Sequence, residues 1–148
     1  MKLSNVNEWL TLTANIGVLA GIIFLAVEIQ QNTALSRASA YRDTIQEISD
    51  WRENLMADPS LRNCFSQYQQ NGYDSIDNTE CGGVFYLINN IIGTYETAFF
   101  DRQYGFIGEA EWSRLSSSAC RHYLTAKEHG PNLNFITDDF REFLETNC

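Results

Sequence analysis

Hydrophobic and polar positions divide the chain sharply near residue 29. From Trp9 to Ile29 the sequence WLTLTANIGVLAGIIFLAVEI is apolar on every side. A helix without a polar face is buried in a large core or lies in lipid. Trp9 to Glu28 makes 20 residues, about 30 Å of helix, which matches the hydrocarbon thickness of a bilayer. Trp9 stands where an interfacial aromatic anchor belongs, and Glu28, Gln30 and Gln31 mark the other edge. The rest of the chain could hardly supply a core surface large enough to bury this segment, so the pattern predicts a membrane span. A signal peptide is the rival reading, with IGVLAGIIFLAV as its apolar core and Ala38-Ser39-Ala40 as a cleavage box. Against it, Lys2 is the leader's one basic side chain, Glu8 adds an acid, and the box lies far beyond the core.

Past the span, nothing breaks a helix between Gln30 and Met56. Small or apolar residues recur at Ala34, Ala38, Tyr41, Ile45, Ile48 and Leu55, with Arg52 in the one gap. Steps of four and three make a heptad-like seam. Its alanines admit a close partner, and its bulky end is expected against the folded domain. Asp58-Pro59 then closes this helix and opens the next, Asp58 as cap and Pro59 in the first helical position.

The second helix, LRNCFSQYQQN, stops at Gly72, and YDSIDNTECGG forms the main loop. A third helix is expected from Asp77 or Thr79 to about Tyr104. Val84, Leu87, Ile88, Ile91, Tyr95 and Phe99 give it an apolar face wide enough for a central helix. Gly105 ends it. A fourth helical stretch runs from about Glu109 to His129 and stops at Gly130-Pro131. Thr137, followed by Asp138 and Asp139, caps a last helix bearing Phe140, Phe143 and Leu144. No strand pattern or repeat appears. The expected class is all-α: a single N-terminal transmembrane helix (1–29, with its leader) continuing through a helical stalk (30–56) into a small helical bundle (57–148).

Composition changes this picture little, but charge narrows the partners. The chain of 148 residues carries a formal charge of −9. Such a surface repels phosphate backbones, so nucleic-acid binding is not expected. Charges flanking the span are few: Lys2 and the terminal amine on one side, Arg37, Arg42 and Arg52 on the other. The positive-inside bias places the C-terminal domain in the cytoplasm, anchored to the inner membrane by one pass. Cys64, Cys81, Cys120 and Cys148 show no CxxC pair, so a zinc site is not indicated. A cytoplasmic domain keeps thiols reduced, and Cys64, Cys81 and Cys120 then read as small apolar fillers. The alternative is two disulfides in an oxidising compartment.

Candidate chemistry is sparse. Gly17 and Gly21 form a GxxxG pattern that lets two membrane helices approach closely, with Ala14 near that face and Asn15 able to hydrogen-bond a neighbour. Glu96 lies within the most apolar helix and is expected to face the rim of the core or an arginine, with Arg102, Arg114 and Arg121 available, in preference to acting as a general acid. His122 and His129, seven apart, share a face but complete no ligand set for zinc or heme. Trp112, Phe99, Phe100 and Tyr104 are expected to pack one helix on another. No nucleophile elbow, phosphate loop, dinucleotide fingerprint or HExxH motif is present. Neither catalytic, cofactor-binding nor metal-binding residues are assigned.

The runs FLAVEIQQNTALSRASAYRD, ADPSLR, YETAFFDRQYGFIGEAEW and ITDDFREFL together resemble an uncharacterised bacterial family of short proteins. That resemblance covers most of the chain and is weakest from Tyr73 to Gly83. It implies one N-terminal membrane helix with a helical domain, and no activity. The expected function is a membrane-anchored module that binds lipid bilayer and self-associates or docks another membrane protein. The seam residues Ala34, Ala38, Tyr41, Ile45 and Ile48, with the span's Ala14, Asn15, Gly17 and Gly21, are its contact candidates. A homo-oligomeric pore or transport accessory is the alternative, and an enzyme using Glu96 or His122 comes last.

Overall fold

The computed structural model describes residues 3–129 and 133–148; side chains are described from Asn7 onward, apart from Asn78 and His129. Helices are the only regular elements among them. In chain order they are α1 (Leu3–Ala57), α2 (Pro59–Asn71), a short 3-10 turn (Tyr73–Ser75), α3 (Asn78–Cys81), α4 (Gly83–Gln103), α5 (Glu109–His129) and α6 (Asp138–Asn147). The all-α class is therefore established. The expected helix stop at Gly130-Pro131 lies outside the described residues. Two units divide the chain, Met1–Ser36 and Arg37–Cys148.

The first unit is helix alone. None of its most apolar window is buried, and it is the one helix among the described residues long and apolar enough to cross a membrane. Its threonine hydroxyls are satisfied within the helix: Thr11 donates to the Asn7 carbonyl at 2.9 Å, Thr13 to the Trp9 carbonyl at 2.8 Å and Thr33 to the Ile29 carbonyl at 2.8 Å. This back-bonding removes the need for water at those positions.

The second unit closes its own core around α4. Val84, Ile91, Tyr95 and Ala98 are almost wholly buried, and Phe140 and Leu144 of α6 share that core. Phe99 is the centre of an aromatic cluster, with ring centroids 5.2 Å from Phe143, 5.3 Å from Phe140 and 6.0 Å from Trp112. Each such ring, fully buried, contributes about 1.5–3 kcal/mol by area, with a further fraction from edge and stacking geometry. Tyr104 does not join them; it is exposed just beyond the end of α4.

Local chemistry sets the ends. Asp58 accepts from the N–H groups of Ser60 and Leu61, at 2.9 and 3.1 Å, with Pro59 behind it at the first helical position. Gly72 and Gly105 take positive φ, 86° and 76°, at the turns that end α2 and α4. The expected third helix is two: Asp77 caps the single-turn α3, and the Gly82-Gly83 step separates it from α4. Gly83 also permits close approach, since a Cβ there would meet Leu61 Cδ1 at 3.1 Å.

The cysteines are paired, which corrects their reading as apolar fillers. Cys64 of α2 bonds to Cys81 of α3 across a Cα–Cα distance of 5.5 Å, and Cys120 of α5 bonds to Cys148 across 5.2 Å. Wide sequence spacing hid this, because helix packing and not motif spacing brings the partners together. Closing loops of this length stabilises a domain by about 3 kcal/mol each in the chain-entropy account.

Candidate functional site

In the first unit the contact candidates stand free. Ala14, Asn15, Gly17 and Gly21 are all exposed. A Cβ added at Gly17 or Gly21 would meet nothing within 4 Å. Ala14, Gly17 and Gly21 fall along one stripe at steps of three and four. Asn15 does not: it lies about 100° round from Ala14, and so flanks the stripe instead of lying within it.

The C-terminal half of α1 belongs to the second unit, and its buried positions differ from the expected seam. Thr44, Ile48 and Trp51 are buried, with Tyr41 and Leu55 packed partly beside them. Ile45 is 41% exposed, and Ala34 and Ala38 are fully open. The packing stripe is thus 41, 44, 48, 51, 55, in which Trp51 occupies the step that Arg52 had left blank. A polar Thr44 disguised it; its hydroxyl is satisfied by the Ala40 carbonyl at 3.1 Å.

Trp51 meets His122, the histidine singled out by sequence. The two rings are edge to face at 5.8 Å, and Tyr95 stacks on the imidazole at 5.9 Å. One residue each from α1, α5 and α4 is thereby locked together. Burial pushes the His122 pKa down to about 4, aided by the nearby Arg121 and Arg52 charges. The imidazole is neutral at physiological pH. Only about 10 Å³ of space adjoins it, beside Phe65 and Tyr68, roughly the room for one water. The side chain of His129 lies outside the described residues, so the proposed pairing of the two histidines does too. Among the described residues no group of three or more His, Cys, Asp or Glu gathers into a metal site.

Glu96 is half-buried at the rim of the core, and its partner is none of the three arginines. Its Oε1 accepts from the backbone N–H of Thr137 at 2.6 Å and from the Thr137 hydroxyl at 2.7 Å. A carboxylate from α4 thus caps the first turn of α6, where N–H groups point outward and the helix dipole favours negative charge. Thr137 is the cap residue, as its position indicated, but its own side chain makes no capping bond. Arg102 is taken by Glu109, through bonds of 2.9 and 3.1 Å that span the α4–α5 turn.

Three clefts open along α1 within the second unit. The first, about 530 Å³, is polar and acidic, lined by Glu47, Asp50 and Glu96, with Asn89 and Asn90 opposite. Trp51 Nε1 and Asn89 Oδ1, both on residues of its wall, are buried without a protein partner. The second, about 670 Å³, is mostly apolar, between Tyr41 and Ile45 on one side and Phe106 and Ile107 on the other, with Arg37 and Arg42 at its edge. The third, about 220 Å³, lies between α1 and α5 over Tyr95 and brings Arg52 and Arg114 together. Sequence reading missed this last cleft. Its available signal was spacing: Ser49 and Arg52 lie one turn apart on α1, as do Arg114 and Ser118 on α5.

No family model matches the chain, and no curated protein or solved structure is significantly similar to it. The class that fold and surface define is a helical protein with one exposed apolar helix of membrane-spanning length and a disulfide-bonded helical domain.

Proposed function

We propose that the chain is a non-enzymatic, single-pass protein of the bacterial inner membrane that self-associates through its apolar helix or docks a membrane partner. One observation carries this: every described side chain from Trp9 to Ile29 is exposed, whereas the second unit buries its own core without it. Contiguous apolar surface on that scale is not tolerated in water and marks a lipid or protein contact. The open stripe at Gly17 and Gly21 supports close approach of a second helix.

On this reading the domain faces the oxidising, periplasmic side, opposite to the expectation from charge. Arg52 lies 23 residues beyond Ile29, outside the roughly 15–20 residues over which flanking charge orients a span. Arg37 and Arg42 then stand against Lys2 and the terminal amine, and no bias remains. Two disulfides persist where glutathione does not keep thiols reduced, and they tip the balance.

Cell fractionation with thiol labelling tests this reading. The full-length chain should stay with membranes through alkaline carbonate. In intact cells its four cysteines should resist maleimide–polyethylene glycol until a reductant is added. Protease added to spheroplasts should remove the domain. Free thiols in a protease-protected domain would restore the cytoplasmic orientation, and a shortened soluble product would replace the anchor with a cleaved leader.

A further inference from the structure

The cleft between α1 and α5 gathers positive charge in a chain whose net charge is −9. Arg52 comes from α1 and Arg114 from α5, and no acidic residue lines the space between them. Three other arginines of the domain are engaged: Arg102 with Glu109, Arg62 with the Met56 carbonyl, Arg141 with the carbonyls of Leu133 and Ile136. Arg52 and Arg114 make no hydrogen bond or ion pair among the described residues; Arg52 lies only over the Trp51 ring, 5.2 Å from its centroid. The same cleft is lined by hydroxyl-bearing residues from three helices, Tyr41 and Ser49 of α1, Tyr95 of α4 and Ser118 of α5. Tyr95 is almost wholly buried in the core, so this wall of the cleft is fixed.

Two like charges held over one cleft repel each other unless an anion lies between them. Guanidinium forks match the oxygens of phosphate in pairs, and hydroxyl donors complete the shell of a tetrahedral oxyanion. The volume of about 220 Å³ holds roughly seven waters at about 30 Å³ each. It lies below the roughly 300–1,000 Å³ of sites for drug-sized ligands. A single phosphate group with its nearest waters is the right size.

We propose that this cleft binds a phosphate or phosphomonoester group, clamped by Arg52 and Arg114 and oriented by Ser49 and Ser118. The group is either a free small-molecule phosphate or the headgroup of a phosphomonoester lipid.

The test uses the full chain in detergent micelles and in nanodiscs, titrated with inorganic phosphate at constant ionic strength. Phosphorus NMR line width and the shift in Tm are the readouts. The expected result is saturable broadening with a rise in Tm, weakened at least tenfold in the Arg52→Gln, Arg114→Gln variant and unchanged in Arg62→Gln. Both arginines of the clamp are exposed, and a Tm without phosphate near that of the parent shows that the double variant folds. Should it not fold, Ser118→Ala with Arg114→Lys replaces it, with weakened binding again expected. Nanodiscs containing phosphatidic acid form the second arm: arginine-dependent binding there, with none to free phosphate, assigns the lipid as source. Absence of saturable binding in both arms, or equal binding by the double variant, would overturn the proposal.

Discussion

The imidazole of His122 lies nearly parallel to the Tyr95 ring, 5.9 Å between centroids and 24° between planes, and meets the Trp51 ring edge to face at 5.8 Å. This buried setting suits a neutral ring and penalises a charged one twice, through lost solvation and through the Arg121 and Arg52 charges nearby. The unfolded chain binds a proton at His122 near its ordinary pKa of 6.5, and the folded chain near 4. Between those values the unfolded state holds more protons, so stability rises with pH. His122 therefore costs nothing above pH 6.5, and its penalty grows as pH falls towards 4, reaching about 3 kcal/mol. Asp101 works in the opposite direction, because burial and the neighbouring Asp43 hold its carboxyl above the usual range. Urea melts from pH 7 to pH 4 should show the loss, and His122→Gln should flatten it. An unchanged slope in that variant would remove His122 as its cause.

Glu96 supports α6 from a different helix, 41 residues away in sequence. Removing the side chain strips the first turn of α6 of its acceptor for the Thr137 N–H and hydroxyl. A lost cap of this kind costs about 1–2 kcal/mol, or about 4–9 °C in Tm for a domain of this size. Glu96→Ala should show that fall. Glu96→Gln keeps an acceptor oxygen and should lose less. A Glu96→Ala protein with the parent Tm would mean that the core side chains of α6 and the Cys120–Cys148 bond hold it without the carboxylate.

The two disulfides differ in exposure, and so in their response to reductant. Cys64 and Cys81 are buried at 5% and 6% exposure, whereas Cys148 is exposed at the end of α6. Thiolate attack needs access to sulfur. Graded dithiothreitol followed by alkylation and peptide mapping should open Cys120–Cys148 first. Replacing both members of either pair by serine should lower stability by about 3 kcal/mol. Simultaneous opening of both bonds would mean that the domain unfolds before either sulfur is reached.

Elements with local signals were legible in the sequence. The apolar run, the Asp58-Pro59 step, the glycine stops and the periodicity of α4 each depend on neighbours in the chain, and the structure places them within a few residues. What failed depends on packing. Thr44 and Trp51 outrank Ile45 because burial follows the partner surface and not side-chain polarity alone. Glu96 finds a helix N-terminus, not an arginine, since orphan N–H groups attract a carboxylate as a cation does. The cysteine pairs and the Arg52–Arg114 cleft join residues from separate helices, and spacing along one helix cannot show what faces it.

Self-association can be tested at the glycine stripe itself. With nothing within 4 Å of a Cβ at Gly17 or Gly21, a larger side chain at either position harms no contact within the chain. It would, however, hold a second helix apart, because close packing in lipid depends on small residues at the crossing. Gly17→Leu and Gly21→Leu should leave the helix content and the Tm of the domain unchanged. Both should weaken crosslinking in native membranes and donor–acceptor energy transfer between labelled chains in nanodiscs. Asn15→Leu should weaken association less, since Asn15 flanks the stripe. If both glycine variants associate as strongly as the parent, the helix contacts itself by another face or not at all.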